Sequence, residues 1–198
     1  MVLTDELLGP ILRDVSRAFY LTLRVLPAEV RSQIALAYLL ARTTDTIADT
    51  QLVPAEKRMQ KLQQFRARIR DEGAPPVDFT HLAREQDNEA ERVLLQHSGE
   101  AIALLDKMEG ADRGQIQLVL ETITRGQELD LARFGDDRKL KALETADDLD
   151  DYTYRVAGCV GEFWTRLTRT NCFADAEIDE QHFVKNSIRF GKGLQLVN

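Results

Sequence analysis

A segment that is apolar on almost every side constrains the fold of this 198-residue chain more than any other feature. It begins at Pro27 or Ala28 and continues to Asp49. Its apolar positions are Val30, Ile34, Ala37, Tyr38 and Ala41 on one helical face, flanked by Leu36, Leu39 and Leu40. Because such a helix has no broad polar face to turn towards water, other elements must surround it. The pattern therefore predicts a buried helix at the centre of the molecule.

The rest of the chain also has the periodicity of helices. Only five prolines and eleven glycines interrupt it, and no run of alternating apolar and polar residues indicates a sheet. We predict a first helix capped by Thr4 and ending before Pro27, and later helices over 54–70, 79–108 with a break near 87, 112–134, 149–169 and from about Ala174 to the last residue. The predicted fold class is all-α, with residues 1–198 in a single helical domain.

Charge and composition exclude several classes of protein. The net charge of −7 and the pI near 5.1 argue against a broad nucleic-acid surface, which requires a basic face. Cys159 and Cys172 are the only cysteines and belong to no zinc pattern. The sequence shows no secretory signal and no apolar run of about 18 residues. We therefore expect a cytoplasmic protein without a membrane span of its own.

Two carboxylates and an arginine stand at the end of the central helix. Asp45 and Asp49 are separated by about 400° of helical rotation, so they lie one turn apart on one face. Arg42 precedes Asp45 by three residues. Mg²⁺ commonly binds one or two carboxylates together with substrate phosphates and water, and arginine suits a phosphate oxygen. The alternative is that these side chains form the solvated last turn of a helix.

Two further patterns leave alternatives open. Gly158 and Gly161 lie inside a predicted helix, where each costs roughly 1 kcal/mol relative to alanine. Either another helix approaches closely there, or the small residues leave room for a long apolar ligand. The four acids between Asp147 and Asp151 look like a metal cluster, but at the start of a helix they are better explained as capping residues.

Four stretches together resemble the squalene/phytoene synthase family, the head-to-head trans-prenyltransferases, and most closely its bacterial members. They are Ser16-Arg17-Ala18-Phe19, Tyr38-x-x-x-Arg42-x-x-Asp45-Thr-Ile-Ala-Asp49, Tyr152-x-x-x-Val156-Ala-Gly-x-Val-Gly161 and Gly193-Leu-Gln-Leu-Val-Asn198. The resemblance implies a helical bundle around a central cavity in which Mg²⁺ holds two prenyl diphosphates. It implies that farnesyl diphosphate is condensed through a cyclopropyl diphosphate to squalene, with NADPH as reductant.

The resemblance also assigns roles to individual residues. It implies that the metal ligands are Asp45 and Asp49, and that the diphosphate contacts are Ser16, Arg17, Arg42 and Asn198. It implies that the catalytic phenols are Tyr38 and Tyr152. It implies a prenyl pocket lined by Phe19, Val156, Ala157, Val160 and Gln195, with Gly158 and Gly161 as further small residues along the prenyl tunnel.

The sequence departs from the family pattern in two places. The second acidic motif of the family continues as Asn-x-x-Arg-Asp-x-x-x-Asp, whereas the sequence stops at Asn198. We therefore expect this chain to be the N-terminal part of a longer domain and to be inactive alone, with a possible peripheral membrane contact in the whole protein. Ala18 and Ala48 replace the serine and glutamate of many squalene-forming members, which leaves phytoene or dehydrosqualene synthesis, without a reductant, as an alternative. A non-catalytic helical binding module is the other alternative.

Overall fold

The computed structural model describes residues 7–108, 110–135 and 142–197. In these ranges the chain forms α-helices, two π-helical turns and connecting segments, with no strand. The all-α fold class is therefore confirmed. Within the same ranges no helix is both long enough and apolar enough to cross a lipid bilayer.

The N-terminal half contains seven of the helices. A π-helical turn at Leu7–Ile11 accommodates Pro10. The helices that follow are α1 (Leu12–Ser16), α2 (Phe19–Val25), α3 (Ala28–Asp49), α4 (Ala55–Arg70), α5 (Thr80–Arg84), α6 (Glu89–Gln96) and α7 (Ser98–Asp106). Thr4, the predicted first cap, lies outside the described residues.

The C-terminal half is built from longer helices. These are α8 (Gly110–Phe134), α9 (Ala146–Thr153), a second π-helical turn at Tyr154–Gly158, α10 (Cys159–Asn171) and α11 (Glu180–Val197). The predicted 149–169 helix is thus one continuous run of helical turns that widens in its middle.

Helix α3 is the central element. Val30, Leu36, Leu39, Leu40 and Ile47 are completely buried, and α4, α6, α7, α8 and α10 all pack against the helix. Burying one such leucine or isoleucine side chain stabilises a fold by roughly 1.5–3 kcal/mol. The prediction from the apolar pattern is confirmed, and the polar end of α3 is fixed in the middle of the molecule.

The last helix begins later than predicted. We expected it from about Ala174, but residues 173–179 form a turn and an extended segment, and α11 begins at Glu180. The side chain of Asp179 accepts a hydrogen bond from the backbone N–H of His182 at 3.1 Å. Because this contact satisfies a free N–H group at the helix start, the cap outweighs the helical propensity of the preceding alanines.

One of the four acids at the start of α9, Asp148, takes part in capping the helix. The Thr145 hydroxyl accepts a hydrogen bond from the Asp148 backbone at 3.1 Å, and the Asp148 carboxylate accepts one from the Thr145 backbone at 3.1 Å. These reciprocal bonds form a capping box. The described residues contain no group of three or more histidine, cysteine or acidic side chains that could hold a metal ion. The capping interpretation is therefore confirmed for Asp148.

The glycines of α10 and α11 mark a close helix crossing. A Cβ atom on Gly161 would lie 2.2 Å from the Ser187 carbonyl oxygen, and one on Gly191 would lie 2.4 Å from the Ala157 carbonyl oxygen. Gly158 is covered by side chains that include Lys192 and Ile188 of α11. Packing is therefore the correct alternative for these small residues. The expectation that Gly158 and Gly161 widen a prenyl tunnel is wrong, because α11 fills the space beside them.

Candidate active site

A cleft of about 610 Å³ opens between α3, α8 and the segment around the second π-helical turn. Seven residues singled out from the sequence line it: Phe19, Tyr38, Asp45, Asp49, Tyr152, Val156 and Val160. A larger groove of about 1000 Å³ lies beside α11, but its walls are mostly charged side chains and contain none of those residues. The smaller cleft is therefore the candidate site, because it brings the predicted acidic, aromatic and aliphatic site residues together.

The acidic rim of the cleft is formed by the last two turns of α3. The Asp45 side chain keeps 46% of its surface accessible from the cleft although protein surrounds it on the other sides. Burial and, to a smaller extent, the neighbouring charge of Asp49 raise the pKa of Asp45 to about 6, whereas the positive charge of Arg42 acts to lower it. Burial likewise raises the pKa of Asp49. The two carboxylates therefore form an anionic pair that the surrounding protein compensates only in part.

This pair suits a divalent cation. One oxygen of Asp45 accepts a hydrogen bond from the Gln127 side chain, and the other lies 3.9 Å from a nitrogen of Arg42. Two carboxylates on adjacent turns provide hard oxygen ligands, and a cation bound to them would compensate the negative charge whose burial raises both pKa values. Two carboxylates do not fill the octahedral coordination of Mg²⁺, so water molecules would complete it in the free protein and phosphate oxygens would replace some of them when substrate binds.

The walls of the cleft are apolar and aromatic. The rings of Phe19 and Tyr38 lie 4.8 Å apart between centroids. Burial raises the pKa of Tyr38. Burial also raises the pKa of Tyr152, an effect that Asp130 strengthens and a hydrogen bond from Gln195 weakens. Both phenols are therefore neutral at physiological pH and keep their protons.

Three predicted diphosphate contacts, Ser16, Arg17 and Arg42, are not part of the cleft wall. Ser16 is buried, and its hydroxyl has no hydrogen-bond partner among the described residues. Arg17 follows it with a φ of +49°, a conformation that costs a non-glycine residue of order 1–3 kcal/mol. Its charge lowers the pKa of Tyr38, which indicates that the guanidinium lies near the cleft. Arg42 forms an ion pair with Glu91.

The remaining predicted residues lie elsewhere. Gln195 is not part of the cleft wall, but it lies near enough to Tyr152 to lower the pKa of that phenol. Ala157 is not part of the cleft wall, and its carbonyl group lies at the crossing with Gly191. Asn198 lies outside the described residues.

Sequence reasoning missed the contribution of α8. Ile123, Gln127, Asp130 and Phe134 all line the cleft and recur at helical spacing. Two polar residues on an otherwise apolar stripe were the signal that could have identified this face. Arg58 of α4 was also missed, and it lines the cleft while donating a hydrogen bond to the Ala48 carbonyl at the end of α3.

The described helices thus form a bundle whose cleft has acidic side chains at its rim and aromatic and aliphatic side chains in its walls, an arrangement that can accommodate a ligand with a charged head and an apolar tail. Comparison with known proteins is consistent with that arrangement. Residues 12–198 match the family model of squalene/phytoene synthases. The chain therefore belongs to the squalene/phytoene synthase family.

Individual relatives are distant. Squalene synthase ERG9 of Gibberella zeae is 28% identical over 185 residues, which cover 92% of this chain and 37% of that protein. Squalene synthase of Yarrowia lipolytica is 30% identical over 185 residues, which cover 92% of this chain and 39% of that protein. The chain thus spans well under half the length of these relatives.

The fold comparison agrees. A solved structure of TcSQS in complex with the ligand BPH1237 superimposes with a TM-score of 0.74 and 23% identity, covering 98% of this chain and 52% of that one. This match shows that the two proteins share a fold.

Proposed function

We propose that the complete protein condenses two prenyl diphosphates head to head, with farnesyl diphosphate as substrate and squalene as product. One observation carries the proposal: the carboxylates of Asp45 and Asp49 share a cleft with the apolar side chains of Phe19, Val156 and Val160. A prenyl diphosphate has the same division between a charged head and an apolar tail. Family membership supports the proposal.

At the charged end, Asp45 and Asp49 would hold Mg²⁺ together with the diphosphate. The bound ion would neutralise the charge that develops on the diphosphate leaving group. Arg42 and Arg17 would bind phosphate oxygens, and the Ser16 hydroxyl and Asn198 would add hydrogen bonds to the same group. The Ser16 hydroxyl supports its part in this assignment, because no described residue provides it with a hydrogen bond.

At the apolar end, the chain's own residues would protect a carbocation. Phe19 and the aliphatic side chains exclude water, and aromatic rings attract a cation through their faces. Tyr38 and Tyr152 would lie at the reacting carbons with their protons in place, because burial raises the pKa of both phenols. A neutral phenol can steer a proton without capturing the cation as a phenolate would.

The identity of the product is the most specific part of the proposal. In squalene formation NADPH is a co-substrate, whereas phytoene or dehydrosqualene formation needs no reductant. The complete protein would be incubated with Mg²⁺ and farnesyl or geranylgeranyl diphosphate, with and without NADPH, and the hydrocarbon identified. Squalene that forms only with NADPH is the expected result. Because this product is apolar, peripheral contact with a membrane belongs to the same proposal.

The metal role is tested with Asp45→Asn and Asp49→Asn in the complete protein. Each substitution removes one charged ligand with little change of shape, and we expect kcat to fall by about 10²-fold or more. Asp14→Asn is the control, because this exposed carboxylate lies on α1 and its partner is the adjacent Arg13. Unchanged turnover in both cleft variants would contradict the metal role. Absence of any hydrocarbon from either substrate would favour a non-catalytic binding module.

A further inference from the structure

Arg42 lies between two carboxylates that differ in their exposure to solvent. One terminal nitrogen forms an ion pair with Glu91 of α6, and the other lies 3.9 Å from an oxygen of Asp45. The Glu91 side chain is only 14% exposed, whereas that of Asp45 is 46% exposed. The guanidinium therefore bonds directly to the more buried acid and stays short of bonding distance from the acid in the cleft.

Glu91 is fixed relative to the end of α3 by several contacts. The Asn88 side chain caps α6 by accepting hydrogen bonds from the backbone N–H groups of Ala90 and Glu91, at 3.0 and 3.3 Å. Just before this cap, Gln86 donates a hydrogen bond to the Thr50 hydroxyl at 3.1 Å. Leu94 and Leu95, one turn further along α6 on the same face as Glu91, are buried in the core. Glu91 is thus a rigidly held anion one helix away from the cleft.

The arrangement decides which oxygens of Asp45 remain free. Its Oδ1 atom accepts a hydrogen bond from Gln127, whereas Oδ2 has no hydrogen bond from the described residues and is the more available oxygen for a cation. Oδ2 is also the atom that Arg42 faces across 3.9 Å. The guanidinium has unused donor capacity as well, since its Nε is buried and finds no hydrogen-bond partner within the described part of the chain. If Arg42 moved onto Oδ2, both oxygens of Asp45 would accept hydrogen bonds, and a guanidinium charge would stand where a cation would bind.

We infer that Glu91 is a positioning residue that holds Arg42 away from Asp45 and so keeps the second oxygen of Asp45 available to a metal ion. The inference rests on the proposed metal role of Asp45 and Asp49. Glu91 and Asp45 are the two carboxylates that pair with Arg42 in the described part of the chain. Loss of Glu91 would leave Asp45, three residues further along the same helix, as the remaining partner. Charge-assisted pairing of arginine with a carboxylate would then compete directly with metal binding.

The test measures metal binding without turnover. Mn²⁺ serves as the probe for Mg²⁺, and the electron paramagnetic resonance signal of free Mn²⁺ gives the dissociation constant for the complete protein. We expect Glu91→Gln to weaken binding about tenfold, the order of one charge-assisted hydrogen bond that competes for the same oxygen. The Glu121→Gln variant is the matched control, because Glu121 also pairs with a partly buried arginine, Arg66, outside the cleft. It should bind Mn²⁺ as the wild type does.

A double-mutant cycle separates positioning from a direct effect of charge. In an Arg42→Met background there is no guanidinium to restrain, so Glu91→Gln should change the dissociation constant less than twofold. The same tenfold weakening in that background would overturn the inference, because Glu91 would then act on the metal through its own field. Unchanged binding in the single variant would overturn it as well. If the wild type binds no Mn²⁺, the metal site itself is refuted, and this result is distinct from failure of the cycle alone.

Discussion

Substituting Gly161 with alanine tests the helix crossing on which the site is built. The new Cβ atom would lie 2.2 Å from the carbonyl oxygen of Ser187 and 2.8 Å from its carbonyl carbon. Ordinary contacts begin near 3.4 Å, so α11 would have to retreat by about 1 Å. The obstacle is backbone, which cannot swing aside as a flexible side chain can.

The expected cost follows from these distances. Overpacking a tight interface typically costs about 1–3 kcal/mol, and a backbone obstacle belongs at the upper end of that range. Alanine in place of glycine in a helix recovers up to about 1 kcal/mol. We therefore expect Gly161→Ala to lower the free energy of unfolding by about 2 kcal/mol, which corresponds to a fall in Tm of roughly 4–8 °C for a chain of this length.

Urea unfolding provides the measurement. The transition is followed by circular dichroism and by the fluorescence of Trp164, the only tryptophan, which lies on α10 itself. Gly193→Ala is the control on the opposing helix, because no atom lies within 4 Å of its added Cβ. That variant should be stabilised by about 0.5–1 kcal/mol. A Gly161→Ala protein as stable as the wild type with an unchanged m-value would refute the close crossing.

Two further predictions concern titratable groups. The pKa of Asp45 is about 6 in the folded chain, against an ordinary value of 3.8. Between about pH 4 and pH 6 the folded state therefore binds more protons than the unfolded state. The contribution of Asp45 to stability is then lost as the pH rises through that range. In metal-free buffer the urea midpoint of Asp45→Asn should therefore increase relative to that of the wild type between pH 4 and pH 7. If the difference between the two midpoints stayed constant over this range, the raised pKa would be contradicted. Burial raises the pKa of Cys159 to about 12, whereas Cys172 is only partly buried. At pH 8 Ellman's reagent should thus modify one thiol quickly in the native protein and two in urea, and equal native rates would show that Cys159 is accessible.

The sequence specified the features that depend on one element. The central position of α3 followed from its apolar residues alone, since a helix without a polar face has to be enclosed. The shared orientation of Asp45 and Asp49 followed from helical geometry, which holds wherever the helix lies. Phe19 and Val156 are far apart along the chain, and no pattern in the sequence indicated that they would be neighbours. Their meeting in one cleft could be expected only from the family resemblance.

The parts that could not be predicted depend on contacts between distant segments. Gln127 bonds to Asp45 across 82 positions of sequence, and Glu91 pairs with Arg42 across 49. Periodicity shows that a residue lies on a helix face but not which helix that face meets. The start of α11 was missed for a local reason, since a capping aspartate outweighed alanine-rich propensity.

The π-helical turn at Tyr154–Gly158 has a consequence for the spacing of residues along the chain. Tyr152 and Val156 face the cleft, whereas Gly158 and Gly161 face α11. The wider turn sets the rotation about the helix axis between the residues that face the cleft and those that face α11. Deleting one residue there would rotate everything downstream by about 100°, turning Gly161 away from α11 while Tyr152 stayed in place. One helical run can therefore serve two neighbours only with this number of residues in the turn, so its length matters as much as its composition.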